Sequence, residues 1–355
     1  MDRVYFLDHA AIPFHFKQSA RDFVVDEIPL YEFSGEGEHL VLHVRKKDLT
    51  TWDMVSEIAN YLGIKQRDIG YGGLKDKNAM TKQYISVLKI YEPKLREFTH
   101  EKIKILDYFY HNNKIRIGHL KGNRFFIRLK KVTPVAAQKI KHALESIEQN
   151  GMPNYFGYQR FGIDGDNYIK GQAIVEKKLK ERNVKLRKMY VSAYQSHLFN
   201  LWLSRRIEIS KLVDSFDISE LTSLLNMPQH DIQQMKAQSH PFKLIEGDTM
   251  MHYPHGRLFT LEYEEIERFI KRDISPTGIL SGKRVKASSG QARLIEEAYD
   301  VKMDENGARR YAWIFPEDLE ANYKEEEAWM ELHFSLPKGS YATVLVEEIA
   351  KRKIS

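Results

Sequence analysis

Residues 70–90 read GYGGLKDKNAMTKQYISVLKI. The second half, QYISVLKI (Gln83 to Ile90), reads as a strand. The first half is a loop in which Gly70, Gly72 and Gly73 let the backbone take positive φ and approach a ligand closely. Asp76 stands in that loop between Lys75 and Lys77. Neighbouring cations hold a carboxylate ionised and also attract phosphate. Gly, Asp, Asn and Lys suit an exposed turn as well, and residue chemistry alone favours the turn over a site.

Upstream, LVLHVRK (Leu40 to Lys46) alternates apolar and polar residues as a half-buried strand does. Thr50 then caps a helix, with Asp53 as a capping-box-like partner. Trp52, Val55, Ile58, Ala59 and Leu62 fall on one face of it, and Gly63 ends it. Downstream, NRFFIRLKKV (Asn123 to Val132) is a basic strand. Phe125, Ile127 and Leu129 point one way, while Arg124, Phe126, Arg128 and Lys130 point the other, toward solvent or toward RNA. Thr133-Pro134 opens a second helix with Pro where its missing N–H costs nothing. Ala136, Ile140, Ala143, Leu144 and Ile147 give its apolar stripe, and Gly151 closes it.

After about residue 157 the strand alternation fades. A long helical region covers Lys185 to Ile209, a polar and weakly patterned segment runs from Ser210 to Ser239, and strand character reappears briefly at LFTLEY (Leu258 to Tyr263). Alternation returns in WMELHFSLPKGSYATVLVEEIA, through Met330, Leu332 and Phe334, before a turn and an apolar helix.

The 355 residues suffice for two or three domains, and 42% hydrophobic with 29% charged residues is ordinary for a globular protein. No apolar run reaches the roughly 20 residues that cross a bilayer, and MDRVYFLDHAAIPFHF lacks the plan of a secretory signal. The expectation is a cytoplasmic protein, by default a monomer. With no cysteine, disulfides, thiolate metal sites and cysteine nucleophiles are excluded. A net charge of +6 with 19 Tyr and 18 Phe suits RNA, since cations meet phosphates while rings stack on bases.

The search for cofactor chemistry fails. HExxH and GxSxG are absent, and no His/Asp/Glu cluster has metal-ligand spacing. GILSGKR (Gly278 to Arg284) resembles a phosphate loop, but its glycines are one residue too close and Arg284 takes the Ser/Thr slot. An enzyme built from this chain is expected to need neither cofactor nor metal. Two further clusters stand out. NYFGYQRFG (Asn154 to Gly162) makes sense as a nucleic-acid site, with rings to stack and Arg160 for phosphate. In SAYQSHLFN (Ser192 to Asn200), Tyr194 and Leu198 read as core.

YGGLKDKNAMTKQYISV resembles the signature of TruD-type pseudouridine synthases, in which a G-L-K-D segment carries the catalytic aspartate. RDFVVDE (Arg21 to Glu27), SGEGEHLVLHVRK (Ser34 to Lys46), KGNRFFI (Lys121 to Ile127), NYFGYQRFG, SAYQSHLFN, PTGILSG and FSLPKGSYATVLVEE (Phe334 to Glu348) are similar to further blocks of that family, in the family's order and over nearly the whole chain. The likeness weakens over about residues 205–245.

The resemblance implies an α+β fold: the mixed, largely antiparallel sheet of pseudouridine synthases, flanked by helices, with an inserted α/β domain. Residues 1–157 and 310–355 would form the discontinuous catalytic domain, and 158–309 the insertion. It implies isomerisation of a uridine in tRNA, typically at position 13, without redox change, metal or energy source. Asp76 would be the catalytic carboxylate, either attacking covalently or stabilising and deprotonating a glycal-like intermediate. The uridine must leave its stack to be reached. Phe125 takes the place of the ring that stacks on it, and Asn123 bonds the base or positions the aspartate. Phe23 and Phe334 match further substrate contacts, and Lys17 is a basic partner for Asp76. Without the family all three phenylalanines read as core. The competing expectations are a non-catalytic tRNA-binding protein or RNA chaperone using the same cleft, and a nucleotide-dependent enzyme using GILSGKR.

Overall fold

A computed structural model describes residues 3–16, 19–75, 77, 79–162 and 164–354. The chain forms two units. One, the sheet unit, is Ile12–His142 with Pro316–Gly339; the other, the helical unit, is Met1–Ala11, Ala143–Phe315 and Ser340–Ser355. The sheet unit runs β1 (Phe23–Pro29), β2 (His39–Lys46), α1 (Thr51–Leu62), β3 (Gly70–Tyr71), β4 (Met80–Leu88), α2 (Glu92–Arg96), β5 (Ile103–His111) and β6 (Leu120–Lys130). Helix α3 (Pro134–Asn150) carries the chain from one unit to the other. The helical unit then holds β7 (Met152–Pro153), α4 (Asn167–Val175), α5 (Val184–Ser215), α6 (Ile218–Leu225), α7 (Gln229–Ala237), β8 (Thr249–His252), β9 (Leu258–Thr260), α8 (Ile266–Ile270), β10 (Ile274–Leu280), α9 (Gly290–Glu296), β11 (Ala308–Tyr311) and β12 (Trp313–Ile314). The chain returns to the sheet unit with β13 (Glu317–Lys324) and β14 (Trp329–Pro337), and α10 (Ala342–Ala350) closes the helical unit.

The sheet follows the order β13-β14-β6-β1-β4-β2-β5, with β3 beside β4. Only β1 and β4 pair in parallel; every other pair is antiparallel. This is the mixed, largely antiparallel sheet of an α+β protein, as expected. Helix α1 starts and stops where its sequence dictates. Thr50 Oγ1 accepts from Asp53 N at 3.1 Å, Asp53 Oδ2 accepts from Thr50 N at 2.8 Å, and Gly63 ends the helix at φ 73°. Val55, Ile58, Ala59 and Leu62 bury against Leu40, Leu42, Val44, Ile85 and Val87 of the sheet. Trp52 departs from the expected stripe. It lies at the stripe's edge, is 52% exposed, and meets Tyr71 edge-on at 5.6 Å. Strand β2 is more buried than its alternation suggests, because it pairs on both sides and His43 on its second face stacks on Tyr84 at 4.5 Å.

On the outward, solvated face of β6, Arg128 and Lys130 are matched by carboxylates, while Arg124 is exposed. Lys130 Nζ and Arg128 Nη1 reach Asp22 at 2.6 and 3.3 Å, and Arg128 also bonds Glu331 at 2.9 Å and lies over Trp329. Burial opposes ionisation of Asp22, but Lys130, Ser19 and Arg128 together hold its carboxyl below the usual range. Arg128 and Lys130 are committed to carboxylates, which favours the solvated alternative for these two.

In the helical unit α5 spans 32 residues, and β8, β10 and β11 pair beside it with β9 at the edge. The weakly patterned stretch after Ser210 is helical: α5 continues to Ser215, and a capping box between Asp217 and Glu220 starts α6. The polar look arises because these are short amphipathic turns whose buried residues are few, Leu221 in α6 and Ile232 and Met235 in α7. Among the described residues no helix is long and apolar enough to cross a membrane.

The first and last segments of the helical unit meet through carboxylates of α10. Arg3 pairs with Glu347, and Glu348 accepts from Leu7 N at 2.7 Å. Burial raises the Glu348 pKa to about 7, against the pull of the Leu7 and Phe6 amides. A carboxyl whose folded pKa is raised gives stability that is complete below its unfolded value and is lost as pH rises through the folded one. Glu348→Gln should therefore flatten the stability profile between about pH 4.5 and 7, by about 3 kcal/mol in the difference from wild type. Urea unfolding across that range is the check, and equal slopes for the two proteins would contradict it.

Candidate active site

The core-facing side of the sheet is built by alternation, and each central strand places polar residues there among apolar ones. Phe23, Val25 and Glu27 face inward from β1; Thr81, Gln83, Ile85 and Val87 from β4; Leu40, Leu42, Val44 and Lys46 from β2; Asn123, Phe125, Ile127 and Leu129 from β6. Register sets them in rows. Phe334, Phe125, Val25, Thr81 and Lys46 lie side by side across five strands. In the adjoining row Leu336, Asn123 and Glu27 are cross-strand partners. Gln83 follows Glu27 there, one residue beyond the Asp26–Lys82 pairing.

The three expected phenylalanines thus come together. Phe125 stacks on Phe334 at 5.4 Å and 25°, and meets Phe23 edge-on at 6.2 Å. All three are buried. Asn123 shares their face, and its Oδ1 is buried without a partner among the described residues. Asp76 and Lys17 lie outside the described residues.

Lys75, which precedes Asp76, is tightly held. Lys75 Nζ lies 2.7 Å from Glu27 Oε2, with side-chain exposures of 7% and 1%. Burial raises the pKa of Glu27, with the Lys75 ammonium acting in the opposite direction. The Lys75 amide donates to Thr51 Oγ1 at 2.8 Å, and that hydroxyl donates to Gln83 Oε1 at 3.1 Å. On the far side Ala79 is fully buried and Met80 begins β4. The loop glycines act differently from the expectation: none of Gly70, Gly72 and Gly73 is left-handed. They serve close packing instead. A Cβ on Gly70 would lie 2.2 Å from the Ile115 carbonyl, and one on Gly72 3.0 Å from Glu27 Oε1.

Two more orphans lie in the same rows, Thr81 Oγ1 and Gln83 Nε2, on side chains with no exposed surface. Each unsatisfied buried polar atom costs about 1–3 kcal/mol, and among the described residues these three stand on β4 and β6, to either side of β1. Lys46 is also fully buried in this register and donates to Leu49 O at 2.6 Å. Glu27, Thr51, Thr81, Gln83 and Lys46 went unmarked in the sequence reading. For the four strand residues the available signal was a polar residue in the core-facing phase of an alternating strand; Thr51 opens α1 and carries no such signal. Among the described residues no group of three or more His, Asp or Glu is placed to hold a metal ion.

The aromatic motif Asn154 to Gly162 is not a stacking surface. Asn154, Tyr155, Phe156 and Phe161 are buried. Tyr155 bonds Val4 O at 3.0 Å and Ser204 at 3.1 Å, while Phe156 exchanges two hydrogen bonds with the Asn200 amide. Arg160 is spent on Ser192 and Ser196, and Arg310 covers the Phe156 ring at 3.9 Å. This motif and SAYQSHLFN are two halves of one structural joint.

The sequence matches the family described as tRNA pseudouridine synthase D (TruD) over residues 2–184 and 176–349. It is 62% identical to the tRNA pseudouridine synthase D of Sulfurimonas denitrificans, over 100% of both chains. It is 58% identical to that of Nitratiruptor sp., over 100% of this chain and 99% of the relative. A crystal structure described as a TruD from Methanosarcina mazei superposes with a TM-score of 0.67 at 21% identity, covering 99% of this chain and 96% of that one, and so shares the fold. With matches that span the whole length at such identity, the chain belongs to the tRNA pseudouridine synthase D (TruD) family.

Proposed function

We propose that this enzyme isomerises uridine to pseudouridine at position 13 of tRNA, with Asp76 as the catalytic carboxylate. The observation that carries the site assignment is the row of orphan polar atoms beside the Phe125–Phe334 stack, next to the anchored residue that precedes Asp76. A flipped uracil offers an apolar face and an edge bearing one N–H donor between two carbonyl acceptors. Phe125 receives the face. Asn123 accepts from or donates to the edge, and the Gln83 amide N–H, whose oxygen is fixed by Thr51, donates to a carbonyl. Phe23 and Phe334 back the stacking ring, and Lys17 is the basic partner of Asp76.

The reaction conserves every atom. The N1–C1′ bond breaks, the uracil turns within its pocket, C5 bonds to C1′, the C5 proton leaves and N1 gains one. Asp76 either attacks C1′ or takes the C2′ proton to give a glycal and returns it when C5 bonds C1′; both routes need one carboxylate held at one place. The Lys75–Glu27 pair and the Lys75–Thr51–Gln83 chain fix the residue that precedes it. Residues 158–309, which lie within the helical unit, are the family's inserted domain, and the remainder is catalytic. The enzyme acts on cytoplasmic tRNA as a monomer without a cofactor. Carbodiimide mapping of tRNA from cells with and without the gene tests this: one modification in the D arm should vanish, and an unchanged map would refute the assignment.

A further inference from the structure

The segment Glu176 to Lys188 between α4 and the start of α5 holds seven lysines and arginines against two glutamates. It forms one wall of an open basin of about 860 Å³ in the helical unit. The facing wall is the GILSGKR turn, which the catalytic reading leaves unused, together with Lys302. That turn is no nucleotide loop. Strand β10 leads into it, yet the next helix begins only at Gly290, and the Lys283 amide is already given to Glu305 O at 2.8 Å.

The acids of the basin are all engaged. Arg187 pairs with Glu305 at 2.6 Å, Lys283 with Asp304 at 2.9 Å and Arg293 with Asp300 at 2.8 Å. Glu181 accepts from Asn183 N at 2.7 Å. Lys177, Lys180 and Lys302 are exposed, and among the described residues none has a carboxylate within ion-pair distance. Asn183 caps α5 on this wall, so the positive end of a 32-residue helix adds to the field. Among the described lining residues there is no aromatic ring. Dispersed unpaired ammonium groups without a stacking ring suit an extended run of phosphates rather than a base or a single nucleotide.

We propose that this basin holds the sugar-phosphate backbone of the tRNA substrate, through Lys177, Lys180 and Lys302. The inference rests on the chain being a tRNA-acting enzyme. Its test is the affinity of full-length tRNA for K177E/K180E/K302E, measured by fluorescence anisotropy over a range of KCl. A control, K139E/K141E/K271E, makes the same charge change at exposed lysines elsewhere. The basin variant should bind at least about tenfold more weakly near 0.1 M salt. The slope of log affinity against log salt should become shallower by about 2, at 0.7–0.9 per lost phosphate contact. A wild-type slope, or an equal loss in the control, would overturn the proposal. If wild-type protein binds tRNA but forms no pseudouridine, the catalytic reading fails and the binding comparison still decides this one.

Discussion

Asp76→Asn should lower pseudouridine formation by at least about 10³-fold while tRNA affinity stays within a few-fold of wild type. The amide has nearly the size and polarity of the acid, and Lys75 and Lys77 beside it are unchanged. It neither attacks C1′ nor accepts the C5 proton at a useful rate, and general-base or nucleophilic roles are each worth orders of magnitude. Release of tritium from tRNA labelled at uracil C5 reads the reaction directly, because C5 loses its proton when it bonds C1′. A variant with more than about a tenth of wild-type turnover would remove Asp76 from the chemistry.

The second large effect concerns Lys75→Met. Glu27 sits with 1% of its side chain exposed, 2.7 Å from the Lys75 ammonium. Removing one member of a buried pair leaves an uncompensated charge and costs about 3–5 kcal/mol. The variant should therefore unfold at markedly lower urea, and most so above neutral pH. Burial already raises the Glu27 pKa, and loss of the cation raises it further. A raised carboxyl is stabilising while protonated and loses that contribution as pH climbs through its folded value, so the deficit should shrink in acid. Glu27→Gln/Lys75→Met should recover much of the stability without recovering turnover, since buried pairs are replaceable for stability. If the double variant were fully active, the pair would not position the loop.

The capping box of α1, its glycine stop, the alternation of β6 and the stripe of α3 were legible because each is set by neighbours within a few residues. The fold class and the candidate loop came from blocks along the chain. What stayed hidden depends on register across strands. Glu27 and the pair Thr81 and Gln83 lie far apart in sequence and come beside the expected Asn123 only when β1, β4 and β6 pair. Trp52 misled because a stripe predicts the core only at its centre. The rings and arginine of NYFGYQRFG looked like a nucleic-acid site, since composition does not reveal that Ser192, Ser196 and Asn200 of another helix satisfy them. The loop glycines were read for their φ freedom, when Gly70 and Gly72 are needed for the space a Cβ would fill.

The central claim is that this chain alone converts one tRNA uridine to its C-linked isomer. Purified protein, treated with a chelator and mixed with an unmodified tRNA transcript, tests it most directly by carbodiimide-dependent primer extension. One new stop at uridine 13, absent with D76N, is the predicted result. A transcript that is bound yet unmodified, or modified equally by D76N, would contradict it.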